Sequence, residues 1–258
     1  MKRFLPVLLL LAALFALPGA QAADLSKLRV GVEGAYPPFS TVGPDGKLQG
    51  FDIDIANALC TEMKSRCTLV QQEFDGLIPS LQSRKVDMVV ASMSITPERL
   101  KVVGFTDKYY NSANKLIAKI GSPIDGTPAR FKGTRIGVQR TTINDRYVTA
   151  KFTEATIVRY ASQDEVYLDL AAGRIDATMV DGIAGDIGFL KTPAGKGFGF
   201  VGPDYRDPEY FGSGAGIALR QGDTELRDRL NAAIKAIRAN GTYQKLAAKY
   251  FNYDIFGQ

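Results

Sequence analysis

Ser92-Met93-Ser94-Ile95-Thr96-Pro97-Glu98-Arg99 is the stretch on which the reading of this chain turns. It follows Val86 to Ala91, an apolar run broken only by Asp87, which reads as a buried strand. Thr96 then Pro97 is a helix-start signal: a hydroxyl able to cap, and a proline where no N–H is needed. The stretch therefore predicts a strand-to-helix turn carrying two serines, with Arg99 in the first helical turn. Free backbone N–H groups, hydroxyls and a guanidinium converging on one turn suit a small carboxylate. A solvated arginine beside ordinary capping hydroxyls would read the same way, so the rest of the chain has to decide.

Working outward, Leu28 to Val32 alternates as a first strand, and Glu33 to Phe39 reads as a loop because Pro37 and Pro38 stop regular structure. Ile55, Ala56, Leu59, Cys60 and Met63 fall on one face of a helix from Ile53 to Met63. Cys67 to Gln72 reads as a strand, and Leu77, Ile78 and Leu81 mark a short helix before Val86. The order β-α-β-α-β describes an α/β lobe with a largely parallel sheet. Beyond Arg99, Thr106 to Ser112 is polar and tyrosine-rich, and Lys115 to Lys119 reads as a strand. A second series follows: strands at Arg135 to Val138, Thr156 to Tyr160 and Asp176 to Val180, with helices at Gln163 to Ala172 and Ile183 to Leu190. Gly214 to Leu219 is a last strand, entering helices at Asp223 to Ala239 and Thr242 to Tyr250. Two such series imply two lobes. Glu33, Phe74, Ser92, Thr142 and Asp181 all follow predicted strands, and open α/β sheets bind ligands beyond the carboxyl ends of their strands. A cleft between lobes is the natural place for a small ligand.

Composition narrows the function. The chain has no histidine, which excludes Ser-His-Asp and Cys-His catalysis. Met1-Lys2-Arg3, the apolar Phe4 to Leu17 and Ala20-Gln21-Ala22 form a secretory signal with cleavage expected after Ala22. Its removal leaves 236 of the 258 residues, and the formal charge falls from +5 to +3 as Lys2 and Arg3 depart. That surplus is modest and lacks a dense basic run, so nucleic acid is not indicated. Cys60 and Cys67 are expected to pair in an oxidising compartment; a metal pair would lack further ligands.

The sequence resembles the periplasmic basic amino-acid-binding proteins of ABC importers, that is, the lysine/arginine/ornithine-, arginine- and histidine-binding proteins of solute-binding family 3. The resemblance is carried by Tyr36-Pro37-Pro38-Phe39-Ser40, Gly50-Phe51-Asp52-Ile53-Asp54, Phe74 to Leu81, Ser94 to Arg99, Ala171 to Asp176, Tyr210-Phe211-Gly212 and Gly241 to Phe251, in the family's order. It implies a two-lobed type II periplasmic binding fold, each lobe a mixed sheet flanked by helices. The first lobe would take 23–110 and 215–258, the second 115–205, and hinge strands would run near 111–114 and 206–214. It further implies a periplasmic monomer that needs no cofactor or metal and hands its ligand to an inner-membrane permease.

The resemblance also assigns roles. Arg99 would pair with a ligand α-carboxylate, supported by Ser94 and Thr142 and by the backbone at Ile143. Asp181 would receive the α-ammonium, with help from the Ser92 carbonyl. Tyr36 and Phe74 would flank the side chain, and Glu33 would face its cationic tip. An amino-acid zwitterion does need an anion and a cation, both paired once desolvated. Glu33 is one methylene longer than the aspartate of several relatives, Ala91 replaces a common serine, and Thr142-Ile143 stands where some members carry Thr-Gln. These departures bear on the side-chain preference. Arginine is the expected ligand, with ornithine and lysine next. The alternatives are an opine or other arginine conjugate and, further off, a dehydratase-type enzyme on the same scaffold.

Overall fold

The computed structural model describes residues 25–257; the expected signal segment and the cleavage expected after Ala22 lie outside the described residues. In chain order, the first part comprises strand β1 (Lys27–Val32), the short strands β2 (Ala35–Tyr36), β3 (Ser40–Val42) and β4 (Leu48–Gln49), helix α1 (Phe51–Glu62), β5 (Arg66–Gln71), α2 (Phe74–Gln82), β6 (Met88–Val89) and β7 (Gly104–Tyr110). The chain then forms β8 (Asn114–Lys119), β9 (Arg135–Gln139), α3 (Ile143–Lys151), β10 (Thr156–Tyr160), α4 (Gln163–Ala171), β11 (Ala177–Asp181), α5 (Gly182–Gly185), β12 (Phe198–Tyr205) and α6 (Pro208–Phe211). It returns through β13 (Ala215–Leu219), α7 (Thr224–Ala239) and α8 (Thr242–Ala247).

Ten of these strands make two five-stranded sheets, in the orders β5-β1-β6-β13-β7 and β10-β9-β11-β8-β12, and β2, β3 and β4 make a small antiparallel one. Each five-stranded sheet is parallel across its first three strands and antiparallel across the rest. The sheets are therefore mixed and the molecule two-lobed, where strand order alone suggested a largely parallel first sheet. The parallel part follows from the crossover helices, which cover sheet faces and make β1 read as Leu28, Val30 and Val32 inward. The disulfide Cys60–Cys67, Cα atoms 6.1 Å apart, ties α1 to β5.

Four local readings change. No α-helix follows Pro97: the Arg99 N–H donates to Thr96 Oγ1 at 3.2 Å, but only a three-residue 3-10 turn, Arg99–Lys101, forms. The reason is tertiary, because Val103 and Phe105 are buried and draw the chain straight into β7. The tyrosine-rich segment is that strand, with Tyr109 and Tyr110 buried. The helix expected over Ile183 to Leu190 is α5 followed by a wider π-type turn, Asp186–Leu190. β12 escapes its sequence because it is a half-exposed edge strand containing glycine and proline, its backbone paired antiparallel to β8.

The stretch from Ser94 is clamped by the chain returning from the second lobe. The Ile95 N–H donates to the Gly214 carbonyl at 2.8 Å, the Ser213 N–H donates to the Ile95 carbonyl at 3.1 Å, and Ser94 bridges Ala215. Gly212 permits this approach: its φ is +70° and a Cβ there would fall 1.9 Å from the Ile95 carbonyl oxygen. The arginine turn and the second crossing between lobes thus form one unit.

Candidate ligand-binding cleft

β1 of the first lobe runs directly into Glu33, and β9 of the second ends at Gln139, so the carboxyl ends of two central strands face each other. Gln139 Nε2 donates to Glu33 Oε1 at 2.6 Å across the cleft and to the Ala161 carbonyl of its own lobe at 3.2 Å. Both side chains are buried. Burial pushes the Glu33 carboxyl up to about 7, with the Gln139 hydrogen bond pulling the other way.

Arg99 is 9% exposed, and none of the described carboxylates is paired with it. Its guanidinium donates to the Ser94 carbonyl at 3.1 Å and, across the cleft, to the Thr141 carbonyl at 3.4 Å. It also lies over the Phe74 ring, 5.4 Å from the centroid. Burial pulls its pKa from 12.5 down to about 10; Glu98 opposes that shift and Arg146 adds to it. This is a desolvated cation served only by neutral acceptors, a state that favours a carboxylate arriving from outside.

Asp181 closes β11 and caps α5. Its Oδ1 accepts the N–H groups of Ile183 at 2.8 Å and Ala184 at 3.1 Å, and the Ser112 hydroxyl donates to Oδ2. Burial raises its pKa against those three bonds. Tyr36, Ser92, Ser94, Ile143 and Asp181 line one cavity of about 40 Å³ between the lobes. Arg99 and Thr142 border an adjoining groove, and Ile143 faces both spaces. Glu33 and Phe74 line neither: Glu33 lies behind with Gln139, and Phe74 packs beneath Arg99 against the core that includes Leu77 and Ala91.

Two hydroxyls are already committed. Ser92, at φ +50°, donates its Oγ–H to Asp52 at 2.9 Å and its N–H to the Tyr109 hydroxyl oxygen at 3.0 Å, and Tyr109 donates on to Asp52 at 2.7 Å. The Ser92 carbonyl takes no part in that network. Thr142 caps α3: its Oγ1 accepts from the Asp145 N–H at 3.2 Å and donates to the Gln139 carbonyl at 2.7 Å. Any contribution of Thr142 to a ligand is thereby left to its backbone and to the α3 N-terminus.

The profile of the bacterial extracellular solute-binding proteins, family 3, matches residues 28–253. The chain belongs to that family. It is 52% identical over 238 residues to the L-arginine-binding protein of Pseudomonas aeruginosa, covering 92% of each chain. It is 42% identical to the lysine/arginine/ornithine-binding periplasmic protein of Escherichia coli, covering 100% of both. Among solved structures, a Salmonella typhimurium periplasmic binding protein described for its high arginine specificity superposes with a TM-score of 0.81 at 33% identity, covering 88% of this chain and 99% of that one.

In this solute-binding protein the lobes touch directly. Besides the Gln139–Glu33 and Arg99–Thr141 bonds, Arg140 of the second lobe pairs with Asp75 at 2.5 Å and Glu73 at 2.6 Å, and Arg146 with Glu98 at 2.8 Å. Sequence reasoning missed Gln139, Asp52, Asn114 and Asn144. Asn114 and Asn144 line the cavity, each with a buried Oδ1 that no described group donates to. Nothing in local sequence marks them: Gln139 and Asp52 act on residues distant in the chain, and Asn114 and Asn144 are picked out only by the cavity they line. Among the described residues no helix is long and apolar enough to cross a membrane.

Proposed function

We propose that this solute-binding protein captures a cationic L-amino acid, arginine first and ornithine or lysine next, between its two lobes and delivers it to an ABC permease. The observation that carries the reading is Arg99, a buried guanidinium of the first lobe served only by carbonyls, with the half-buried Asp181 carboxylate contributed by the second lobe. One α-amino acid satisfies both, and because the two groups come from different lobes its binding favours closure. In this reading Arg99, Ser94 and the backbone at Thr142 and Ile143 hold the carboxylate, while Asp181 and the Ser92 carbonyl hold the ammonium. Tyr36 and Phe74 flank the stem and Glu33 meets the cationic tip. The basic-amino-acid names of the P. aeruginosa and E. coli relatives support this ligand class.

The lobes divide at 23–110 with 215–258 and at 115–205, joined through 111–114 and 206–214. The protein works in the periplasm as a monomer after cleavage at Ala22, and it acts by affinity and closure, performing no reaction. Calorimetric titration of unfolded and refolded protein with arginine, ornithine, lysine, histidine, glutamine and octopine tests the reading. Tight arginine binding that Glu33→Gln weakens selectively for cationic ligands is expected. Preferential binding of glutamine refutes the role of Glu33, preferential binding of octopine makes it an opine binder, and no binding at all refutes the ligand class.

A further inference from the structure

We infer that Gln139, reaching from the second lobe to Glu33 of the first, sets the preference among cationic side chains by engaging one of the two Glu33 oxygens. The inference rests on the reading above, in which Glu33 receives the cationic tip.

Gln139 Nε2 has two N–H groups and both are spent: one on the Ala161 carbonyl at 3.2 Å, the other on Glu33 Oε1 at 2.6 Å. Ala161 directly follows β10, which pairs with β9, so the amide is aimed by its own sheet. It meets Glu33 only where the lobes meet. Gln139 is 2% exposed and Glu33 4%, so water does not compete for the bond. A guanidinium pairs best with a carboxylate whose two oxygens are both open, because its planar fork presents two parallel N–H groups. With one Oε1 lone-pair site spent on the amide, Glu33 offers a guanidinium Oε2 in full but Oε1 only as a shared, weaker acceptor. An ammonium is a point charge with rotatable donors and is served by a single oxygen. Gln139 therefore narrows the advantage that arginine would otherwise hold over lysine and ornithine at this carboxylate, and it operates only in the closed arrangement.

The test compares the arginine-to-lysine affinity ratio, by calorimetry, in wild type, Gln139→Met and Gln139→Leu, each repeated with Glu33→Gln. Methionine keeps the unbranched stem and removes the donor. The ratio is expected to rise about ten-fold in both variants, in line with one restored charge-assisted hydrogen bond, and not to change on the Glu33→Gln background. If Gln139→Met and Gln139→Leu do not fold, Gln139→Asn withdraws the amide by one methylene and should move the ratio the same way. A ratio within two-fold of wild type in the folded variants overturns the inference and makes Gln139 a brace for Glu33, while leaving the ligand reading intact. Failure of the wild type to bind either amino acid overturns the ligand reading itself.

Discussion

Replacing Arg99 with methionine should weaken ligand binding by about thirty-fold or more while leaving the ligand-free protein almost as stable as before. The pKa drop from 12.5 to about 10 corresponds to about 3 kcal/mol of lost preference for the charged form. Methionine removes that burden and keeps an apolar stem, but it forfeits the bond to the Ser94 carbonyl and the longer one to the Thr141 carbonyl, together of the order of 1.5–3 kcal/mol for a charged donor, and the contact with the Phe74 ring, about 1 kcal/mol. The terms nearly cancel, so ligand-free stability should stay within about 1 kcal/mol of wild type. Breaking a buried ion pair would instead cost about 3–5 kcal/mol. Binding should behave oppositely: removing one member of a buried charge pair costs about 2–5 kcal/mol, roughly thirty-fold to several-thousand-fold in Kd. Urea denaturation of ligand-stripped protein and calorimetry with arginine read the two quantities separately. A stability loss above about 3 kcal/mol, with arginine affinity retained within five-fold, would show that Arg99 braces the fold and does not receive a carboxylate.

Glu33 and Asp52 hold protons more tightly in the fold, both near 7, than at their ordinary values of 4.5 and 3.8. The ligand-free protein should therefore carry their full contribution to stability below about pH 4 and lose it as pH rises through 7, which a pH series of urea midpoints will follow. A cationic ligand tip favours ionised Glu33, so binding near pH 7 should release a proton; the calorimetric enthalpy then varies with the buffer's ionisation enthalpy, and Glu33→Gln should remove that variation. Arg140→Ala deletes the cross-cleft pairs to Asp75 and Glu73, and since Arg140 is 40% exposed the affinity should weaken only about two- to ten-fold at low salt. That difference should vanish in about 0.5 M salt, and equal affinities at low salt would remove these pairs from the energetics of closure. Exchanging Cys60 and Cys67 for serine should lower stability by about 2–3 kcal/mol with binding unchanged, read by urea denaturation and titration.

The sequence revealed most where the physics is local. Alternation in β1, the apolar face of α1 and the amphipathic α7 reveal their elements directly, and the strand ends point to Glu33, Ser92 and Asp181. Thr96-Pro97 misled because capping chemistry promises a helix that burial of Val103 and Phe105 does not allow. The candidate cleft was legible where charge or family pattern singled out residues that the fold brings to it, as with Arg99 and Asp181. Gln139 was not: it ends an ordinary apolar strand, and its meaning lies in a carboxylate 106 residues away. Asp52 likewise reads as a surface acid in the first turn of α1, yet it is 1% exposed and anchors Ser92 and Tyr109.

The place of β13 between β6 and β7 has a consequence for the order in which the molecule can assemble. Without residues 215–219 the first sheet is two fragments, β5-β1-β6 and an unpartnered β7, whereas the second sheet draws all its strands from residues 114–205. The half of the protein whose residues come first is thus the half that must wait, holding open apolar edges until the last fifth of the chain arrives. A fragment stopped after residue 205 should leave the first sheet unfinished, while the second keeps every strand it needs.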